Sequence, residues 1–297
     1  MEALARRSEP PFIRHRGRIW ELVLTGEAPC TIDVDGDDVV NRGALVHLDG
    51  LDLAVLSLST VLGVEGLPGE EARQVLDAYE SSVEDLPSSF QAWGALPLRD
   101  AVPADVDAVL DRGHVGIAVP AGAIATPRGI DRLGPLLQRA QDRCAPVFVH
   151  PGPDPFAAIE LADGPAWLPA LTQYVAWMNN AWHTFIAVGR KQLPGLQIVF
   201  SMLAGGAPLH LERLAARGGP AAGVFDRGIY YDTSSYGSRA IDAVVRVVGI
   251  DQLVHGSDRP VVAPPAAPGP LGDAAWAAMT RWNPARLLAP QRQAVAA

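Results

Sequence analysis

Short apolar, β-branched runs alternate with amphipathic stretches along most of this chain. Strands are predicted at Thr31–Gly36, Leu53–Leu58, Ala92–Pro97, Val115–Val119, Pro146–His150, Leu196–Ser201, Ile229–Asp232 and Gln252–Gly256. Helical spacing falls between them, over Asp38–Asp49, Glu70–Val83, Ala104–Asp111, Arg132–Asp142, Leu209–Ala216 and Arg239–Val248. Strand and helix in alternation is the pattern of βα units around a parallel sheet. About eight such strands close a barrel, so an α/β, TIM-type (β/α)8 architecture is expected. Polar side chains appear as the strands stop, at His150-Pro151-Gly152 and Ser257-Asp258-Arg259-Pro260. In a barrel that end carries the active site.

The 297 residues are read as one domain, with 1–29 as an N-terminal extension and 260–297 as a C-terminal loop and helix. Residues 153–190 are long for one crossover and carry Trp167, Tyr174, Trp177 and Trp182, so a helical insertion after the fifth strand is expected, as a lid or a dimer contact. The run 260–270, PVVAPPAAPGP, suits a stiff irregular loop. A doubly wound open sheet is the alternative fold. It wants a glycine-rich phosphate turn after the first strand, where this chain places the acidic Asp35-Gly36-Asp37-Asp38.

Composition narrows the partners. Hydrophobic residues make up 48% and charged residues 19%, enough apolar material for a large core. A net charge of −9 argues against nucleic acid and anionic membrane surfaces, and for a small-molecule substrate. No apolar run has the length of a membrane span or a signal peptide. Two cysteines, Cys30 and Cys144, are too few for a disulfide framework and are read as packing residues, which suits a reducing cytoplasm. An acidic barrel with an aromatic insertion makes a homodimer plausible.

Candidate chemistry gathers at the strand ends. Alternation puts Asp33, Asp35 and Asp37 on one side of the chain, where three carboxylates repel unless a cation, a proton or hydrogen bonds intervene. His150 closes a very apolar strand. Asp258 follows the last strand, placed as general base or metal ligand. Trp177, Trp182, Tyr236 and Met202 are candidate substrate contacts, and Arg259 either grips a substrate carboxylate or pairs with a neighbouring acid. There is no Gly-x-Ser-x-Gly nucleophile elbow.

The order of these motifs resembles the amidohydrolase superfamily, in its amidohydrolase-2 branch of decarboxylases and hydrolases. The resemblance runs from about Cys30 to Leu288. It rests on Ile32-Asp33-Val34, Ala54-Val55-Leu56-Ser57, Val147 to Gly152, Leu193-Pro194-Gly195-Leu196-Gln197-Ile198-Val199, Gly256-Ser257-Asp258-Arg259-Pro260 and Asn283-Pro284-Ala285-Arg286-Leu287. Such proteins usually carry His-x-His after the first strand, where this chain has Asp35 and Asp37, and a sixth-strand His where it has Met202. Of the usual ligand positions, only His150 and Asp258 are kept. Two enzymatic readings follow from the resemblance. In one, Asp258 is the general base and His150 polarises the substrate, without a tightly bound metal. In the other, Asp35, Asp37, His150 and Asp258 hold one divalent cation, manganese or zinc, for hydrolysis or decarboxylation. The third reading is an inactive barrel kept for binding. The substrate expected is a small carboxylated, lactone or aromatic compound.

Overall fold

The computed structural model describes residues 2–17, 19–32, 39–158, 164–219, 226–259, 261–262 and 271–295. The strands among them are β1 (Phe12–Arg16), β2 (Ile19–Val23), β3 (Cys30–Ile32), β4 (Ala54–Leu56), β5 (Phe90–Ala92), β6 (Ile117–Pro120), β7 (Val147–His150), β8 (Ile198–Phe200), β9 (Ile229–Asp232) and β10 (Leu253–Val254). Strands β4 and β5 pair in parallel, and β6 to β10 form a parallel sheet in chain order. A parallel bridge from Gly94 to Ile117 joins the two sets. Seven parallel strands therefore stand side by side in sequence order, with helices such as Gly69–Glu84, Pro103–Asp111, Pro127–Asp142 and Ser238–Val248 in the crossovers. This is the α/β barrel arrangement.

Strand alternation sorts the core into two layers. Ile117, Val119, Val147, Val149, Ile198, Phe200, Ile229 and Tyr231 pack with Ile130, Leu133 and Leu137 of the helix Pro127–Asp142, so they face the helical layer. Their neighbours Ala118, Phe148, Val199, Tyr230 and Val254 form a second cluster with Trp93 and Leu287, which lines the barrel interior. Trp93 and Phe148 stack there at 5.2 Å. The same alternation carried two residues further leads from Phe148 to His150 and from Tyr230 to Asp232, and Asp258 follows four residues after the end of β10. The interior register thus delivers polar groups to the mouth.

The structure departs from the sequence reading in several places. The expected first barrel strand, Thr31–Gly36, is described only through Ile32, and β3 pairs antiparallel with β2 in a three-stranded sheet with β1. A hairpin therefore occupies the N-terminal extension, and β3 supplies its third strand. The expected strand Ala92–Pro97 is shifted, with regular pairing over Phe90–Ala92 and a single bridge at Gly94. A Cβ at Gly94 would lie 2.8 Å from Val109, so only glycine lets the following helix pack this closely. Cys30 and Cys144 are exposed and free rather than packed. In the insertion, helices run over Leu168–Leu171 and Gln173–Thr184 and continue to Gln192. Among the described residues, no helix is long and apolar enough to cross a membrane.

Candidate active site

Polar side chains stand at or just beyond the ends of β4, β7, β9 and β10: Thr60 contacts His150, Ser235 contacts Asp258, and the charge of Asp258 acts on Asp232. His150, the last residue of β7, has its Nδ1 3.0 Å from the Pro151 carbonyl oxygen and 3.1 Å from Thr60 Oγ1. The Thr60 hydroxyl donates to that same Pro151 carbonyl at 2.7 Å. With the hydroxyl proton committed, Nδ1 carries the imidazole proton and Nε2 is left as an acceptor, a tautomer assigned from the hydrogen-bond pattern. Burial holds the ring neutral, its pKa lowered to about 4, with the Pro151 carbonyl opposing that shift. Thr60 itself is fully buried. Gly152 makes the contact possible, because a Cβ there would lie 2.6 Å from Thr60 Oγ1.

Asp232 ends β9, is buried, and was not singled out from the sequence. Burial raises its carboxyl to about 6, despite hydrogen bonds from the Ser234 hydroxyl, from the Ser234 backbone N–H at 3.0 Å, and from the Met202 backbone. The charge of Asp258 pushes it the same way. Burial also raises Asp258, whose Oδ2 accepts a short hydrogen bond from Ser235. Ser235 and Asp258 both have left-handed backbone, with φ of 63° and 53°. For non-glycine residues such conformations are strained and cluster at functional sites. A Cβ on Gly256 would lie 2.6 Å from Asp232 Oδ1 and closer still to Oδ2. The glycine is what gives the Asp232 carboxylate its place.

Met202, the position where a histidine is usual, starts a left-handed turn. Met202, Leu203, Ala204, Gly205 and Gly206 all have φ between 49° and 76°. Such runs are rare because Cβ crowds the following carbonyl. A Cβ at Gly205 would lie 2.7 Å from the Val175 carbonyl oxygen, so the turn is locked beneath the helix Gln173–Thr184. The outcome is that Met202 contributes its backbone N–H to Asp232, in place of an imidazole.

The other candidates sort differently. Arg259 makes a bidentate pair with Asp49, at 2.8 and 2.9 Å, which commits it to a protein acid rather than to a substrate carboxylate. Trp182 is fully buried and donates its Nε1–H to Tyr231 at 3.0 Å, so it is part of the core and presents no face to a ligand. Trp177 is half-buried and stacks on Tyr174 at 5.8 Å. Tyr174 in turn donates to Glu27 at 2.5 Å, tying the insertion to the N-terminal hairpin region. Tyr236 is half-buried against the main core, and burial raises its hydroxyl. Asp33, Asp35 and Asp37 lie outside the described residues.

Of the four positions read from the sequence as metal ligands, the structure describes His150 and Asp258, while Asp35 and Asp37 lie outside the described residues. Among the described residues no three His, Cys, Asp or Glu side chains come together as a ligand set. The sixth-strand position offers a thioether, a poor ligand for manganese or zinc, and its backbone is turned to Asp232.

No protein-family model matches the chain. It is 23% identical over 249 residues to the gamma-resorcylate decarboxylase of Polaromonas sp., covering 74% of this chain and 76% of that protein. The structure resembles the IDCase of Metarhizium anisopliae in its apo form, with a TM-score of 0.79 and 16% identity, over 98% of this chain and 93% of that one. It also resembles the dihydroxybenzoic acid decarboxylase of Polaromonas sp. JS666 with bound manganese and the inhibitor 2-nitroresorcinol. There the TM-score is 0.65 and the identity 17%, over 87% of this chain and 90% of that one. The comparisons and the architecture therefore agree on the fold: the chain carries an α/β barrel like those of these decarboxylases.

Proposed function

We propose that this chain is a carbon–carbon lyase that releases CO2 from a small aromatic carboxylate. The observation that carries this reading is the carboxyl pair Asp232 and Asp258, both raised by burial, with Asp232 near 6. Loss of CO2 from an aromatic ring needs a proton at the carbon that bears the carboxylate. The ring–carboxylate bond then breaks, its electron pair restores the ring, and CO2 leaves. One proton enters for each CO2 released, and water returns it to the acid. A carboxyl that holds its proton close to neutrality suits donation to carbon, whereas an ordinary carboxylate suits abstraction. Asp258, raised in the same direction by burial, is taken as the proton-transferring group expected from the sequence, and its charge helps Asp232 keep its proton.

The role of His150 changes from the one read in the sequence. A neutral ring with Nδ1–H bound to Pro151 offers Nε2 only as an acceptor, so it receives a hydrogen bond from a ring hydroxyl rather than polarising a carbonyl. Ring hydroxyls also donate electron density to the carbon being protonated. The names of the relatives, resorcylate and dihydroxybenzoic acid decarboxylases, support the same substrate class. No step is assigned to a metal.

The test is CO2 release from a panel of hydroxybenzoates, with and without added manganese, together with product analysis in D2O. One deuterium at the vacated ring carbon, and loss of turnover in Asp258→Asn, is the expected result. Hydrolysis of lactones or amides without CO2 release would overturn it.

A further inference from the structure

A surface groove of about 310 Å³, lined by none of His150, Asp232 and Asp258, lies between two helices. Its walls are Asn179, His183, His210, Arg213, Leu214 and Arg217. Asn179 and His183 belong to the helix Gln173–Thr184, and the rest to the helix Leu211–Ala216 with the residue that flanks it on each side. His210, Arg213, Leu214 and Arg217 stand at i, i+3, i+4 and i+7, and Asn179 and His183 at i and i+4, so each set shares one helix face.

This lining holds basic groups and no acid, in a chain whose net charge is −9. Glu212, next in sequence to Arg213, is not part of it. Arg213 and Arg217 are exposed, and among the described residues neither side chain makes an ion pair or a hydrogen bond. Elsewhere the fold matches such groups with acids: Arg246 pairs with Asp242 one helical turn away, and Arg139 and Arg143 share Asp107. Like charges four residues apart on a helix repel, so the groove gathers positive charge at a cost that an anion removes. On the facing wall His183 is fixed in place. Its Nδ1–H donates to the Asn179 carbonyl at 2.9 Å and its ring meets Trp182 edge-on at 4.9 Å, which leaves Nε2 as the ring nitrogen free for a ligand.

We infer that this groove binds a small anion carrying a phosphate group. Two guanidinium forks balance the nearly double charge of a phosphate monoester and take its oxygens bidentately, whereas a monocarboxylate balances one of them. The volume suits a phosphate with a small organic group. The site also has a place in the fold. The helix Gln173–Thr184 covers the left-handed turn that ends at Gly206, with Gly205 packed beneath Val175, and His210 follows that turn directly in the chain. An anion held from both walls joins the covering helix to the segment it covers, and binding to the folded chain alone stabilises it.

The experiment measures binding of inorganic phosphate and of phenyl phosphate by calorimetry, and the melting temperature in each against sodium chloride at matched ionic strength. Wild type is compared with the double variants Arg213→Gln/Arg217→Gln and Arg213→Lys/Arg217→Lys and with Asp258→Asn. The two arginines are exposed, so both double variants should keep the circular dichroism spectrum of wild type. Phosphate should bind wild type saturably and raise its melting temperature beyond the effect of chloride. The glutamine pair should bind at least about tenfold more weakly, the lysine pair should fall between, and Asp258→Asn should bind as wild type does. Tighter binding of phenyl phosphate marks an organic phosphate as the occupant, and equal or weaker binding marks the free ion, each in keeping with the inference. Equal effects of phosphate and chloride, unchanged binding in the glutamine pair, or binding lost in Asp258→Asn overturns it.

Discussion

Asp232→Asn separates stability from activity at one position. The folded protein raises this carboxyl from 3.8 to about 6, so the unfolded chain loses its proton first as pH rises. Stability is therefore fully present below about 3.8 and is lost as pH rises through about 6. Two pKa units correspond to about 3 kcal/mol, an upper bound because the site relaxes in part. The hydrogen bonds from Ser234 and Met202 already act within that net shift. An asparagine keeps the shape and has no charge to bury. Urea denaturation of wild type and variant between pH 4 and 8 should give equal stabilities near pH 4. The gap should then grow to about 1–3 kcal/mol in favour of the variant by pH 7. The same variant should lose roughly 10²-fold or more in kcat for decarboxylation, the usual weight of a proton-transfer group. A variant less stable than wild type at pH 7, or a gap that does not change with pH, would refute the view of Asp232 as a strained acid.

Gly256→Ala should displace the Asp232 carboxylate, because the new methyl would occupy its place. A shift of about 1 Å predicts a loss of roughly 10²-fold in kcat with the fold retained by circular dichroism, and kcat within threefold of wild type would contradict it. His255 packs on Trp276 at 4.7 Å with Nε2 unpartnered, and burial lowers its pKa to about 4. Such a ring contributes stability above 6.5 that is lost as pH falls through about 4, so His255→Phe should gain on wild type between pH 7 and 4.5 in the urea midpoint. Elemental analysis of protein purified without added metal should find well under one ion per chain. One ion per chain that is lost in Asp258→Asn would instead make Asp258 a ligand.

Much of the barrel was legible in the chain. Apolar runs such as Val115–Val119 and Pro146–His150 are buried on both faces, so they read plainly as strands of a parallel sheet. The polar residue ending each run marked the site end, which is why His150 and Asp258 could be named. Asp232 was not singled out although it closes the predicted strand Ile229–Asp232. The two-residue register that carries Phe148 to His150 also carries Tyr230 to Asp232, and that signal was present in the sequence.

Other features depend on distances the sequence does not contain. Alternation sets which face a strand residue takes, but not the depth or the partner it meets there. Trp182 looked like a lid residue until the fold buried it against Tyr231, and the two readings of Arg259 were separated only when Asp49, 210 positions away, came within 2.8 Å. The left-handed turn at Met202–Gly206 is likewise a tertiary outcome, because an αL run is unfavourable by itself and persists only where packed helices hold it. The sequence by itself determined the alternating strands, the polar strand ends and the acidic character of the site. Only the tertiary structure decided which acids keep their protons, because a pKa is set by the burial and the neighbours that folding brings together.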